Sequence, residues 1–289
     1  MDEISIDKPL QDLTPNEVLQ VYLIEGPTGL KRRASLSQLP RLFLESGILK
    51  YIPSNPRCVW CSAPFKGVGA PLMKAIGKDK SKFNPTLCTE CEDFVRQHNA
   101  GVEAEMSMLF ADIRGSTALA EKMSAAEFSG LINRFYSVTS DILAMEKGFL
   151  EKLAGDQVSA FFVPGLAGKK HYEHAYNAAV SILKATGHDD PNGPWVPIGI
   201  GIHIGKTFFG SVGNKEGLTD LAFLGDAPNT AARLASSAKA GEILISTSIA
   251  EKIQLDTSAL ESRRLALKGK TEEVNVWVVN ITPQTQAVG

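Results

Sequence analysis

Two stretches of the sequence place a carboxylate next to a segment typical of a buried strand. In the first, residues 106–117, a near-continuous apolar run is interrupted by Asp112 and followed by Gly115, Ser116 and Thr117. An unpaired buried carboxylate is costly, and the backbone N–H groups that open a helix can face a phosphate. The pattern predicts a corner that binds a metal ion and a phosphate. For Asp112 taken alone, a cap on the following helix is the alternative.

The second stretch, residues 149–163, is typical of two short strands that fold back on each other at Gly155-Asp156. If this hairpin lies beside the first strand, Asp156 comes next to Asp112. Paired carboxylates with open coordination positions are what Mg²⁺ and similar hard cations prefer when a polyphosphate completes the shell. The two stretches together therefore predict a divalent metal site.

All four cysteines fall into two pairs, Cys58/Cys61 and Cys88/Cys91, with twenty-six residues between the pairs. This spacing predicts a tetrathiolate metal site. Zn²⁺ is the favoured ion, while an iron or iron–sulfur centre or a set of redox thiols would use the same ligands. We expect a small metal-binding module at residues 57–100.

Composition limits the classes of partner. The 289 residues are 44% hydrophobic, which is typical of a globular protein with a sizeable core. Thirty Lys and Arg against thirty-two Asp and Glu give a net charge of -2, so we expect no nucleic-acid partner and no membrane partner. A nucleic-acid-binding zinc protein is an alternative that this balance disfavours. Without a signal peptide or an apolar span, the chain is expected to be soluble and cytoplasmic.

The elements that must position these residues follow from periodicity. Ser124 and Glu127 form a capping box before a long amphipathic helix, and a second helix is predicted from about 171 to 186, with His171 and His174 exposed. In residues 196–207, isoleucines alternate with Gly199, Gly201, His203 and Gly205, so something must pack closely on the bare face of a strand. The order strand, helix, hairpin, helix, strand predicts a ferredoxin-like α+β fold.

A further helix is predicted from 226 to 239, with Asp226 as its N-cap. Asn229 and Arg233 are four residues apart and therefore project from one face, where they could hold a polyphosphate and a ribose oxygen. Lys268 and Lys270 lie in a predicted loop before the last strand, where one could reach a phosphate.

Five ordered motifs carry a family resemblance. They are Phe110-Ala-Asp-Ile-Arg-Gly-Ser-Thr117, Lys152-Leu-Ala-Gly-Asp156, Gly199-Ile-Gly-Ile-His-Ile-Gly205, Phe223-Leu-Gly-Asp-Ala-Pro-Asn-Thr-Ala-Ala-Arg-Leu234 and Leu267-Lys-Gly269. In this order, the stretch from about 105 to 280 resembles the catalytic domain of class III nucleotidyl cyclases. The resemblance implies a ferredoxin-like βαββαβ domain over 101–283. The four-cysteine module and a region at 1–56 without an assigned role precede it, and a tail at 284–289 follows it.

The resemblance also implies residue roles. The Asp112 and Asp156 carboxylates and the Ile113 carbonyl would hold two Mg²⁺ or Mn²⁺ ions, and the site would convert ATP to 3′,5′-cyclic AMP and pyrophosphate. Asn229 would orient the ribose, Arg233 would stabilise charge on the α-phosphate in the transition state, and Lys268 would hold the distal phosphates. Lys152 and Ala222 stand at the positions that recognise the purine. The helix start at Gly115, Ser116 and Thr117 is predicted separately, from its free N–H groups, to bind substrate phosphate. In the family, two such sites form across a homodimer.

One position departs from the family pattern. Ala222 stands where the family usually has an Asp or Thr that recognises the purine, and an alanine side chain cannot hydrogen-bond. The preference for ATP then depends on Lys152, which can donate to adenine N1 but would oppose the N1–H of guanine. A guanylate cyclase and a catalytically silent nucleotide-binding homologue stay open as alternatives.

Overall fold

The structure is a computed structural model that describes residues 7–34, 54, 56–58, 60–82, 87–97, 101–213, 219–266 and 273–281. The chain divides into two compact units. The first, which we call the N-terminal unit, comprises Met1–Ala104, Val163–Lys169 and Thr207–Leu224. The second, which we call the sheet unit, comprises Glu105–Phe162, Lys170–Lys206 and Gly225–Gly289. The domain boundaries expected from the sequence stay predictions.

Most regular elements belong to the sheet unit. They are β1 (Gly101–Ile113), α4 (Ser116–Lys122), α5 (Ala125–Met145), β2 (Phe149–Ala154), β3 (Gln157–Phe162), α7 (His171–Ala185), β4 (Ile198–Gly213), α8 (Asp226–Ser237), β6 (Glu242–Ser246), α9 (Thr247–Lys252), β7 (Glu261–Leu265) and β8 (Val274–Asn280). The described strands follow the order β2-β3-β1-β4-β6-β8-β7. This mixed α+β architecture confirms the predicted fold class.

Local signals place several of these elements as predicted. Ser124 caps α5 through its side chain, and Glu127 completes the capping box. Gly155, at φ 64°, makes the turn between β2 and β3, where only a residue without Cβ is free of strain. The antiparallel pairing of β3 with β1 then brings Gln157 opposite Asp112, so the hairpin lies beside the first strand.

The bare face of β4 is covered by helix α8. A Cβ on Gly201 would lie 2.3 Å from the Ala235 nitrogen, and one on Gly205 would lie 2.7 Å from the Ala227 Cβ. Glycine at these positions is therefore required for the helix to lie against the strand. The predicted N-cap was wrong by one residue, because Gly225 occupies the cap position and Asp226 is the first helical residue.

His171 is also not where the sequence predicts it. It is buried, and its Nδ1 accepts a hydrogen bond from the Ser107 backbone N–H at 3.1 Å. Burial lowers the pKa of His171 to about 4. The expected exposure failed because Ser107 lies on the face of β1 against which the first turn of α7 packs, a contact that helical periodicity alone does not show. His174 is partly exposed and lies 2.7 Å from a Glu146 carboxylate oxygen.

The N-terminal unit contains the remaining elements. Helix α1 (Pro15–Arg33) is broken at Gly26, whose φ is 67°. Gly26 contacts Gly165 of the short helix α6 (Pro164–Ala167), and a Cβ on Gly165 would lie 1.9 Å from the Tyr22 carbonyl oxygen. The other elements are α2 (Ala70–Ala75), α3 (Thr89–Gln97), and strand β5 (Thr219–Leu224), which pairs antiparallel with the second half of β4. No helix in the described parts of the chain has both the length and the apolar character needed to cross a bilayer.

Candidate active site

Asp112 stands near the end of β1, where it is partly buried and forms an ion pair with Arg114. Its Oδ1 lies 2.5 Å from Nη2 of Arg114. Burial raises the pKa of the Asp112 carboxyl above its ordinary value, the adjacent Arg114 opposes this shift, and the negative charge of Asp156 adds to it. The N–H of Ile113, the residue after Asp112, donates to the Asp156 carbonyl at 3.0 Å, so the two aspartates lie in one site.

Three hydrogen bonds fix the position of Asp156. Its backbone carbonyl accepts from the Ile113 N–H at 3.0 Å, and its carboxylate accepts from the hydroxyl of Ser116. Immediately before it, the Gly155 carbonyl accepts from the Tyr136 hydroxyl of α5 at 2.7 Å. Asp112, Ile113 and Asp156 are thus brought together at one end of the sheet unit, as the sequence predicts.

The Gly115-Ser116-Thr117 turn follows directly. Gly115 has a left-handed backbone conformation, with φ 66° and ψ 27°, and α4 begins at Ser116. The Ser116 hydroxyl donates to Asp156, so in this structure it orients a carboxylate. Thr117 is exposed beside it.

Helix α8 presents the other predicted pair. Asn229 is exposed and Arg233 is partly buried, and within the described residues neither side chain makes a hydrogen bond or an ion pair. The C-terminal end of the helix is tied to the carboxylate site, because Arg114 Nη1 donates to the Ser236 carbonyl at 2.8 Å. Asn229 lies seven residues before Ser236, about 10 Å along the helix axis.

The predicted base-recognition residues lie on two strands. Lys152 is exposed on β2, with Ser159 as its partner on β3. Ala222 is partly buried on β5, opposite Gly210 of β4. Lys268 and Lys270 fall outside the described residues.

The four cysteines form a compact cluster in the N-terminal unit. The Sγ atoms of Cys58, Cys61, Cys88 and Cys91 all lie within 4.8 Å of one another, and all four thiols are free. Sulfur ligands about 2.3 Å from a tetrahedral ion are about 3.8 Å apart, so the cluster has the size of a tetrathiolate site. Hydrogen bonding within the cluster lowers the pKa of the Cys88 thiol and raises the pKa of the Cys61 and Cys91 thiols, and a bound cation would favour the thiolate form of all four cysteines. The arrangement can bind a metal ion.

Comparison with known proteins decides the family. The family model of the adenylate and guanylate cyclase catalytic domain matches residues 99–280. The chain belongs to this family. An adenylate cyclase of Anabaena cylindrica is 29% identical over 188 residues, which are 60% of this chain and 36% of that protein. The chain thus spans about a third of the length of that cyclase.

Solved cyclase structures have the same fold. The adenylyl cyclase CyaB from P. aeruginosa is 27% identical with a TM-score of 0.54, over 65% of this chain and 99% of that one. The guanylate cyclase domain of RhGC from Catenaria anguillulae, solved in complex with GTP, is 23% identical with a TM-score of 0.54, over 62% of this chain and 98% of that one. At that identity the second likeness shows the fold alone.

Two residues of the cyclase domain escaped the sequence analysis. Arg114, which pairs with Asp112 and reaches Ser236, stands inside the first motif, where its charge next to a buried carboxylate was an available signal. Tyr136, which holds the turn before Asp156, was hidden among the ordinary positions of an amphipathic helix. Only the packing of α5 against the hairpin shows its role.

Proposed function

We propose that the cyclase domain converts ATP to 3′,5′-cyclic AMP and pyrophosphate, in composite sites formed by two copies of the chain. The observation that carries this proposal is the pairing of Asp112 and Asp156, with Asp156 fixed by hydrogen bonds from Ser116, Ile113 and the Tyr136-held turn. Such order around two carboxylates is what a positioned ligand set for a hard cation requires.

The donor set fits Mg²⁺ or Mn²⁺. The Asp112 and Asp156 carboxylates and the Ile113 carbonyl are all oxygen ligands. Burial and the charge of Asp156 raise the pKa of Asp112, and a cation at this point relieves both effects. When bound, such ions neutralise a triphosphate and lower the pKa of a ribose hydroxyl.

The side chains of α8 supply the complementary half of the site from the second copy. Arg233 stabilises the negative charge that develops on the α-phosphate, and Asn229 orients the ribose. Attack of the ribose 3′-oxygen on the α-phosphorus forms the cyclic ester and breaks the bond to the departing pyrophosphate. Lys268 is proposed to hold the distal phosphates. The lack of any hydrogen-bond or ion-pair partner for Asn229 and Arg233 among the described residues supports their availability to a ligand.

The base preference is the finer part of the proposal. Lys152 is exposed and can donate to adenine N1, while the Ala222 side chain offers no hydrogen bond. Conversion of GTP is the alternative, and the RhGC guanylate cyclase domain is among the structures that share this fold. A catalytically silent nucleotide-binding homologue is the second alternative, against which the presence of all the predicted metal and phosphate residues argues.

Turnover by purified protein tests the proposal. We expect cyclic AMP from ATP with Mn²⁺ or Mg²⁺, a lower kcat/KM with GTP, and a loss of at least about 10³-fold in Asp112→Ala and Asp156→Ala. Lys122→Gln, an exposed charge on α4, is the matched control and should retain activity. Preference for GTP would reassign the substrate, and wild-type turnover in either aspartate variant would refute the metal site.

For the cysteine cluster, we propose Zn²⁺ as a structural ion bound by Cys58, Cys61, Cys88 and Cys91. The support is the 4.8 Å spread of the four Sγ atoms. Elemental analysis of the purified chain should find about one zinc per chain. Iron with visible absorption, or four titratable thiols without metal, would refute this assignment.

A further inference from the structure

One side of the metal-binding module exposes aliphatic side chains. Val68, Leu72 and Ile76 are 89%, 60% and 51% exposed, and their spacing of four places them along one side of α2 and its flanking turns. Met73 of the same helix is 1% exposed and points into the module. We call Val68, Leu72 and Ile76 the apolar stripe. Single exposed apolar residues are ordinary, but three aligned along one side of a short segment indicate a binding surface.

The segment that carries the stripe is rich in positive charge. Residues 66–82 contain five lysines and a single acidic residue, Asp79. One of the five, Lys78, is buried and pairs with Glu90. The Nζ of Lys74 lies 3.6 Å from an Asp79 carboxylate oxygen. The four exposed lysines are Lys66, Lys74, Lys80 and Lys82.

The segment is held in place by the module beneath it. The backbone N–H of Lys78 donates to the Met73 carbonyl at 2.8 Å, and that of Ser81 donates to the Leu87 carbonyl at 2.9 Å. The Thr89 N–H donates to the Asp79 carbonyl at 2.9 Å. These bonds fix the backbone that carries the apolar stripe, so little backbone entropy is lost when the segment binds.

These features favour a lipid surface over a protein partner. Protein interfaces are enriched in aromatic residues and arginine and depleted in lysine, whereas this patch combines aliphatic residues with lysines and has no arginine. Lysine stems can lie along an apolar surface while their ammonium groups reach phosphate headgroups. Aliphatic side chains that enter the interface, together with basic residues beside them, are the two signals that stable peripheral binding needs.

We propose that residues 66–82 dock on an anionic membrane surface, with the apolar stripe entering the interface and the headgroups attracting Lys66, Lys74, Lys80 and Lys82, which are exposed on the same segment. The net charge of -2 over the whole chain predicts no membrane partner. That total does not show the local excess of lysine in residues 66–82, because acidic residues elsewhere in the chain balance it. This docking is independent of the cyclase reaction, so a chain without catalytic activity should still bind.

Vesicle flotation of the full chain tests the proposal. The probes are vesicles of phosphatidylcholine alone and vesicles with about 30 mol% phosphatidylglycerol, at about 0.1 M and 0.5 M salt. We expect binding to the anionic vesicles only, weakened at high salt. Each lysine near an anionic surface raises partitioning about fivefold, so Lys66→Gln/Lys74→Gln should bind about 30-fold more weakly.

Matched variants separate the two components. Leu72→Ser/Ile76→Ser should weaken binding at least about tenfold. Its control is Met145→Ser, which removes a 67%-exposed side chain from α5, and Lys122→Gln/Lys184→Gln is the charge control; both should bind like wild type. All the substituted side chains are exposed, and unchanged thermal unfolding confirms that the variants fold.

Three outcomes would overturn the proposal. The first is wild-type chain that does not float with anionic vesicles. The second is binding that the Met145→Ser control loses as much as the stripe variant does. The third is a protein dimer that dissociates in Leu72→Ser/Ile76→Ser without any vesicle binding, which would assign the stripe to a second copy of the chain.

Discussion

Replacing Cys88 by serine is expected to loosen the hairpin formed by β5 and the second half of β4. The Cys88 backbone N–H donates to the Cys58 sulfur at 3.3 Å, so both cysteine pairs shape the turn that carries Trp60. The Trp60 ring lies 6.3 Å from that of Phe209 on β4, and Phe209 lies 4.5 Å from Phe223 on β5. Loss of the turn between Cys58 and Cys61 therefore removes the support of the hairpin.

The size of the effect follows from burial. Phe209 is 1% exposed and Phe223 is 5% exposed, and fully burying a phenylalanine is worth about 1.5–3 kcal/mol. If about half of that burial is lost for both rings, together with the Trp60 contact at roughly 1 kcal/mol, the hairpin loses about 3 kcal/mol. A two-stranded hairpin has little stability of its own, so its amide hydrogens should exchange about 100-fold faster.

Hydrogen exchange with mass spectrometry measures this directly. Peptides from 207–213 and 219–224 should exchange faster in Cys88→Ser, whereas peptides from β6 should not change. Leu72→Ser is the control, because Leu72 belongs to the same module and is 60% exposed. Since Ala222 lies on β5, we also expect a raised KM for ATP. Fast exchange across 57–97 with a fully protected hairpin would refute the proposed support.

Three further outcomes are expected. Mixing Asp156→Ala and Arg233→Ala chains, each inactive alone, should restore one intact site per mixed dimer, and verified mixed dimers without activity would exclude a composite site. Tyr136→Phe removes the 2.7 Å hydrogen bond to the Gly155 carbonyl, which is worth about 1 kcal/mol. The affinity for Mn²⁺, measured from the electron paramagnetic resonance signal of free Mn²⁺, should therefore fall about fivefold. Unchanged affinity would count against this positioning role. Burial lowers the pKa of His171 from 6.5 to about 4, so the unfolded chain binds more protons and the free energy of unfolding falls as pH drops from 6.5 toward 4. Between pH 7.5 and 5, wild type should lose about 2 kcal/mol more in urea unfolding than His171→Asn. Equal losses in the two proteins would contradict this assignment.

Much of the catalytic domain could be predicted from the sequence because its signals are local. A glycine at a turn, a capping box at Ser124 and isoleucines alternating with glycines each depend on residues a few positions apart. Asp112 stands near the end of β1 and Asp156 directly after β2, so a hairpin beside β1 was enough to place the two aspartates next to each other. The cysteine spacing likewise predicted that the four thiols cluster, and their Sγ atoms lie within 4.8 Å of one another.

Contacts between distant segments could not be predicted in this way. His171 is buried because Ser107 lies beneath it, and Tyr136 holds Gly155 because α5 packs on the hairpin. The chain order also separates Trp60 from Phe209, although both belong to one compact unit. Periodicity shows which face of an element is apolar but not which partner covers it. Tertiary packing alone therefore decided these neighbours, and it leaves the side chains of Val68, Leu72 and Ile76 exposed.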